Sequence, residues 1–377
     1  MIYCTNCFYP DTKPDIEFNQ DGLCSACIAF QQRKKIDWKK REKEFIEIVK
    51  EIKKKRNGNY DCIVPVSGGK DSTCQVLKLL EYDLKILCIN SRTCDFSEIG
   101  KRNLENIKKL GVDMLEFSPD PNIRKKLNKI GLLEVGDISW PEHVGIFTIP
   151  INFACKLKIS SVFWGENSQN EYGGPLSKIH NSRLNRSWLE EFGGLLGLRV
   201  TDLFDHFDLK EEDLLCYKYP TEEEINKVKI NGYFLGYYFP WDGFKNAIEA
   251  QSNGFEFFHK NVEGASSNYE NLDNYQTGIH DYFKFIKYGF GRTTDIMCNL
   301  YRRKLISKKN ALDLIKKNDG YFPHTYLDKP LKEILDHIDV SFDEFIETCE
   351  KFTNKNIFKC NNEGKFIRDE SFNLIKK

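Results

Sequence analysis

The run Asp61-Cys-Ile-Val-Pro-Val66 passes straight into Ser67-Gly-Gly-Lys-Asp-Ser72, and this junction constrains the fold more than any other stretch of the chain. A buried strand that empties into a glycine-rich loop opening a helix is an anion cradle. Two glycines, Gly68 and Gly69, let the backbone wrap closely around a phosphate. Successive N–H groups and the helix N-terminus point at it, and Lys70 adds a full positive charge. Ser67 and Ser72 offer hydroxyl donors. The spacing is not that of a Walker A loop, which places four residues between its first Gly and the Gly-Lys pair, so ordinary γ-phosphate transfer is disfavoured. A plain turn is the bland reading of a Ser/Gly/Asp cluster, and the buried strand before this one weakens it. Asp71 is the magnesium-facing carboxylate, unless it only stabilises the first helical turn.

Downstream the pattern alternates. Cys74 to Leu80 continues the helix, Lys85 to Asn90 is an apolar strand, Gly100 to Leu110 has helical periodicity, and Val112 to Phe117 is again a strand. Helix-like His143 to Leu157 leads into the strand Ile159 to Trp164. Such alternation predicts an α/β fold with a doubly wound parallel sheet. Ligands of these sheets sit at the carboxyl ends of strands, which singles out Ser67–Ser72, Asn90–Asp95 and Gly165-Glu-Asn167. Glu166 can orient a magnesium ion or take a proton from an incoming amine; an ordinary surface glutamate is the alternative.

At 377 residues the chain can bury a large core in two or three units. Its 56 basic residues balance 56 acidic ones, which argues against a surface that tracks nucleic acid. Met1-Ile-Tyr-Cys shows no basic stretch followed by an apolar one, and no apolar run reaches membrane-spanning length, so a soluble cytoplasmic protein is expected. Thirteen cysteines in that setting read as thiols and metal ligands rather than disulfides.

Cys4-x-x-Cys7 and Cys24-x-x-Cys27 are two knuckles joined by a loop rich in turn formers, a spacing that suits tetrahedral zinc. A closed four-sulfur shell leaves no open position, so the Zn2+ is expected to be structural. Four unliganded thiols are the bland reading, and a redox or iron-sulfur role is a weaker rival. Asp37 to Arg56 follows as an amphipathic helix, whose basic end Lys53–Arg56 reads as a solvated last turn. None of the seven histidines forms a metal-spaced cluster. Cys155, Cys216, Cys298, Cys349 and Cys360 read as buried or incidental thiols.

The short loop resembles the PP-loop of ATP pyrophosphatases, an adenine nucleotide alpha-hydrolase-like fold. That resemblance implies cleavage between the α and β phosphates, with pyrophosphate held by Ser67–Ser72 while AMP passes to an acceptor oxygen. It also implies that the strand end at Asn90 holds adenine and ribose, and that Gly165 lies beside the nucleotide. Glu166-Asn-Ser-Gln-Asn-Glu-Tyr-Gly-Gly-Pro175, Trp241-Asp242 and Lys287-Tyr-Gly-Phe-Gly-Arg-Thr-Thr-Asp295, taken with the knuckles and the loop, look like the N-acetyl sugar amidotransferase family. Nearly the whole chain is covered. Members make acetamidino sugars for O-antigens and flagellins, including pseudaminic acid. The resemblance implies ATP and Mg2+ as cofactors, Lys70, Asp71 and Glu166 as catalytic, and Asn167, Glu171, Tyr172, Gly173 and Gly174 at the acceptor sugar. The acetamido oxygen is a poor leaving group; O-adenylation turns it into AMP, which ammonia then displaces.

The sequence has neither a second-position cysteine nor a Gly-x-Cys-x-Gly elbow, and the family resemblance implies that ammonia comes from a separate glutaminase resembling that of histidine biosynthesis. Lys287 and Arg292 are candidates for neutralising nucleotide phosphates or a sugar carboxylate; helix-end ion pairs are the alternative. The expected organisation is a zinc module and linker helix at 1–57, a nucleotide domain at 58–172, an insertion facing substrate at 173–264, and a largely helical region at 265–377. In that last region Tyr282 to Leu300, Lys308 to Lys317 and Phe342 to Phe352 read as helices. Trp188, Tyr217, Tyr219 and Trp241 read as packing groups more readily than as sugar platforms. The strongest rival is a PP-loop tRNA thiolase. It wants further catalytic cysteines, and no CxxC follows Cys27, although Cys62, Cys74, Cys88 and Cys94 lie near the nucleotide domain. A non-catalytic scaffold is disfavoured by the intact Lys70-Asp71 pair.

Overall fold

The computed structural model describes residues 1–56, 59–166, 168–178, 183–184, 195–204 and 206–377. Five strands run parallel: β1 (Cys62–Pro65), β2 (Ile86–Ser91), β3 (Asp113–Phe117), β4 (Ser161–Trp164) and, beyond the two-residue antiparallel strand β5 (Arg183–Leu184), β6 (Asn231–Phe234). Their order across the sheet is β3-β2-β1-β4-β6-β5.

Every residue of β1 and β4 is buried, and their side chains divide between two apolar layers. Cys62, Val64, Ile86, Cys88 and Phe163 pack against helices α2 (Trp38–Lys54), α3 (Lys70–Leu80) and α4 (Glu98–Lys108). Ile63, Leu87, Ile89, Val162 and Trp164 pack against α6 (Trp140–Leu157) on the other side. A period of two with both faces apolar is what a covered parallel sheet requires. The linker helix α2 is tied in by Phe45, which is fully buried among Tyr82, Phe163, Tyr238 and Phe239 at ring separations of 5.0 to 5.8 Å. Truncating such a ring costs about 3–5 kcal/mol.

The chain leaves β1 for β2 on one side and returns to β4 on the other, so the carboxyl ends of β1 and β4 border the crevice where ligands of open α/β sheets bind. The expected boundary at residue 172 does not hold. β6 lies in the stretch read as an insertion, yet it pairs with β4 through Ser161–Asn231 to Trp164–Phe234. Its short Asn-Gly-Tyr-Phe pattern carries little strand signal by itself; burial against Phe163 and Trp164 makes it a strand.

Beyond the sheet the chain is largely helical. The expected single helix from Tyr282 to Leu300 is two, Thr277–Tyr288 and Arg292–Arg302. Gly289 ends the first with a left-handed φ of 76°. Asp319 caps the second by accepting from the N–H groups of Gly291 (2.8 Å) and Thr294 (3.2 Å). Two further helices, Lys308–Asn318 and Phe342–Phe352, lie where helices were expected. The four-cysteine segment packs on this region rather than standing apart: Phe8 and Tyr9 share an apolar cluster with Phe290, Met297 and Cys298. Among the described residues no helix is long and apolar enough to cross a membrane.

Candidate active site

The loop after β1 is shaped by Gly68, whose φ is 93°. A Cβ there would stand 3.0 Å from the backbone nitrogen of Leu104 and 3.1 Å from the carbonyl of Gly100, so both the conformation and the nearness of α4 demand glycine. Ser67 N–H donates to Ser72 Oγ at 3.0 Å, and Gly69 N–H to Ser67 Oγ at 3.3 Å, closing the loop on itself at the start of α3. Asn90 lies beside it and donates from Nδ2 to the carbonyl of Val66 at 2.8 Å. At the other side of the crevice Gly165 is crowded: a Cβ would come within 2.6 Å of Gln75 and 2.7 Å of Trp241.

Lys70 carries the charge. Its Nζ lies 2.6 Å from Asp71 and 3.1 Å from Glu270, with the side chain 8% exposed. Burial works against the ammonium, but Asp71 and Glu270 outweigh it and hold the pKa well above the ordinary lysine value. Asn246 donates to the other oxygen of Asp71 at 2.8 Å. Glu166 faces the same cavity, and burial, reinforced by Asp71, pushes its carboxyl up to about 8. Three carboxylates around one lysine leave negative charge in excess, which suits a divalent cation accompanying a phosphate chain. The cavity itself is narrow, about 50 Å³. Glu171 lines it while engaged with Arg33 and Arg303, the latter at 2.9 Å.

A second chamber of about 470 Å³ opens beside the first, and Tyr172, Arg292 and Asp295 line both. Lys13, Lys284 and Lys287 also line it. Lys287, a candidate for the nucleotide phosphates or a sugar carboxylate, lines this chamber, donating to the carbonyl of Val135 at 2.6 Å, and burial brings its pKa down to about 8. Arg292 forks onto Asp281 at 2.8 and 3.2 Å. Gly173 borders the chamber, and its carbonyl accepts from Lys13 at 3.0 Å. Gly174 is buried nearby and lines neither cavity, while Asn167 and Trp188 lie outside the described residues. Tyr217 and Trp241 are buried packing groups, although Trp241 also borders the narrow cavity.

A smaller crevice of about 110 Å³ separates the ends of β1 and β2. Asn90 Oδ1, Ser91 Oγ and Thr93 Oγ1 face burial there without a hydrogen-bond partner in the protein. Orphaned polar atoms at a strand end mark a site built for a polar ligand.

Cys4, Cys7, Cys24 and Cys27 converge with all four sulfurs within 4.8 Å. The Cys4–Cys27 and Cys7–Cys24 separations are 3.8 and 3.5 Å. A tetrahedron with metal–sulfur bonds of about 2.3 Å has edges of about 3.8 Å, so the donor set fits one tetrahedral ion. Cys24 N–H and Asn6 Nδ2 point at sulfurs from 3.2 Å, as donors to thiolates do. From this segment Tyr9 reaches Asp295 at 2.9 Å, which connects the cluster to both cavities.

Sequence reasoning missed Glu270, Asn246 and Arg303, which come from far along the chain and sit in no recognisable motif. It also found no histidine cluster. The fold assembles one, Asp137–His143–His280, from residues too far apart for any ligand spacing to show.

Residues 263–372 match the family described as LPS biosynthesis protein WbpG-like, C-terminal domain. An uncharacterised protein of Methanocaldococcus jannaschii is 32% identical over 124 residues, 31% of this chain; the match spans 43% of that relative's length. NMN synthetase from Francisella tularensis aligns over 52% of this chain and 93% of its own at 14% identity and a TM-score of 0.29. The NH3-dependent NAD synthetase from Campylobacter jejuni covers the same shares at 13% identity and a TM-score of 0.30. Likeness at those scores is too low to argue from. The C-terminal region of the chain thus resembles a domain of lipopolysaccharide biosynthesis proteins, set beside a parallel sheet with a glycine loop at the end of β1.

Proposed function

We propose that the chain is an ATP-dependent amidotransferase that converts the acetamido group of an N-acetyl sugar to acetamidino. Pseudaminic or legionaminic acid, or a related bacterial surface sugar, is the acceptor. The observation that carries this reading is the loop at the β1/β4 crevice, with Lys70 buried at a helix N-terminus beside carboxylates, next to a chamber roomy enough for a second substrate. The similarity of residues 263–372 to a lipopolysaccharide biosynthesis domain supports the sugar side.

In this reading the triphosphate lies along Ser67–Ser72, with the nucleoside toward Asn90, Ser91 and Thr93. Asp71 and Glu270 hold its magnesium. The acetamido oxygen attacks the α-phosphorus, the bond to the β-phosphate oxygen breaks, and its electron pair leaves with pyrophosphate into the cradle. Lys70 and the loop amides neutralise the charge that accumulates on the leaving group. Ammonia from a separate glutaminase then adds to the activated carbon, and AMP departs. The four cysteines hold a structural zinc that fixes helix Arg292–Arg302 against the cavity, and a cytoplasmic setting keeps them reduced.

The thiolase reading loses ground because the nearby cysteines are held as thiols. Burial pushes Cys88 and Cys94 up to about 12, and Cys62 and Cys74 are raised as well. A sulfur nucleophile needs the thiolate. The test is to incubate the protein with ATP, magnesium, ammonium and N-acetylated nonulosonic acids or nucleotide hexosamines, and to read nucleotides and sugars by mass spectrometry. AMP, pyrophosphate and an amidino sugar are expected; ADP with orthophosphate would sink the proposal.

A further inference from the structure

Outside the loop, the group of titratable side chains best placed for chemistry is Asp137, His143 and His280. Asp137 is 3% exposed and accepts from Ser139 N–H at 2.9 Å, while its Oδ1 also shares a hydrogen bond with His280 Nδ1 at 2.7 Å. His143 Nδ1 stands 3.0 Å from Oδ2, an ion-pair contact off the line of a good hydrogen bond. The rings meet edge to face with centroids 5.1 Å apart. Since the shared carboxylate occupies the Nδ1 side of each imidazole, Nε2 is the nitrogen left for other chemistry. Position matters more. His143 borders the crevice at the ends of β1 and β2 and also the wide chamber, and the chamber meets the Lys70 cavity at Tyr172 and Arg292.

We propose that His143 is the base that takes the proton released when ammonia adds to the activated acceptor, with Asp137 and His280 as its positioning residues. The inference rests on the amidotransferase reading. Ammonia adds through its lone pair, which forms the new C–N bond as the C=N π pair of the O-adenylated imidate moves onto the sugar nitrogen, and leaves a positive charge on the incoming nitrogen. Unless that nitrogen loses a proton, ammonia is expelled again in preference to AMP. Transfer of the proton to His143 Nε2 lets the C–O bond break, with its electron pair leaving on the AMP oxygen, and an amidinium remains on the sugar. Of the other charged groups that line the chamber, Lys284 is paired with Asp295, Arg292 with Asp281, and Lys13 and Lys287 donate to backbone carbonyls, which leaves Asp15, and Glu166 in the adjoining cavity, as the rival acceptors. Glu142, beside His143, is engaged by Arg124 at 2.9 Å.

The two half-reactions test this. Sugar-dependent exchange of pyrophosphate into ATP reports adenylation without ammonia, and amidino sugar formed from ammonium reports the second step. His143→Gln and His143→Ala should lose amidine formation by about 10² to 10⁴, the usual worth of a general base, while exchange measured at saturating ATP falls far less. Asp137→Asn should show the same split with a smaller loss. Equal loss of both steps, or amidine formation at the parent rate, would overturn the assignment. So would a second metal ion per chain, beyond the zinc, that His143→Gln releases. Absence of any sugar-dependent exchange in the unaltered protein would instead remove the amidotransferase reading itself.

Discussion

The two cavities that meet at Tyr172, Arg292 and Asp295 are built on opposite plans. The one at Lys70 is narrow, and its lysine, carboxylates and Asn246 are already engaged with one another. Its neighbour has roughly ninefold the volume, and of its basic groups Lys13 and Lys287 bond only to backbone carbonyls. A tight cavity whose lysine and carboxylates already meet one another suits one invariant ligand, whose phosphates and accompanying cation replace the internal ion pairs at little reorganisation. A wide chamber with basic groups left over suits a bulkier anionic partner held by fewer, exchangeable contacts. On the proposed reading, the difference divides chemistry from acceptor choice, and mutations should separate them.

The largest expected effect is at the narrow cavity: Lys70→Ala should cut pyrophosphate release by about 10³-fold while circular dichroism stays unchanged. Retained turnover would dissolve the contrast. Next is Cys24→Ser, which should abolish a zinc content of one per chain by elemental analysis. It should also lower the melting temperature by on the order of 10 °C, because the cluster clamps helix Arg292–Arg302. Gly68→Ala forces a side chain into a left-handed conformation against α4 and should cost about 1–3 kcal/mol in denaturant unfolding. In the wide chamber, Lys287→Met should raise the acceptor KM by about tenfold with the ATP KM unmoved; equal changes in both would merge the two cavities into one site. The subtlest test is Glu166→Gln. The folded protein keeps that carboxyl protonated to about 8, against an ordinary value of 4.5. The stability it contributes is therefore complete below 4.5 and is lost as pH rises through 8, so the Gln variant should show a flatter decline over that window in melting curves.

Much of the fold is visible in the chain. The apolar runs at Cys62–Pro65, Ile86–Ser91 and Ser161–Trp164 name themselves because a parallel strand covered on both faces has nowhere to put polar residues, whereas Asp113–Phe117, at the sheet edge, keeps Asp113 and Glu116 exposed. β6 escapes that logic: Asn231-Gly-Tyr-Phe is short and half polar, and only its neighbours make it a strand. The helix break at Gly289-Phe-Gly291 is masked by apolar periodicity that continues across it, and Asp319, which caps the second helix, arrives from a distant segment. Site residues divide in the same way. Ser67 to Asp71 and the four cysteines are contiguous or closely spaced, so their chemistry shows in order along the chain. Glu270, Asn246, Arg303 and the Asp137–His143–His280 group carry no local signature.

By itself, the sequence determined which segment forms a glycine loop at a helix N-terminus and which four sulfurs converge, because both depend on backbone conformation and spacing over a few residues. Only the tertiary structure decided that Lys287 lines the wide chamber, and that two histidines 137 positions apart share one carboxylate. The reason is physical: a side chain's electrostatic partners are set by which surfaces burial presses together, and the entropy of closing so long a stretch of chain is recovered only by the whole core.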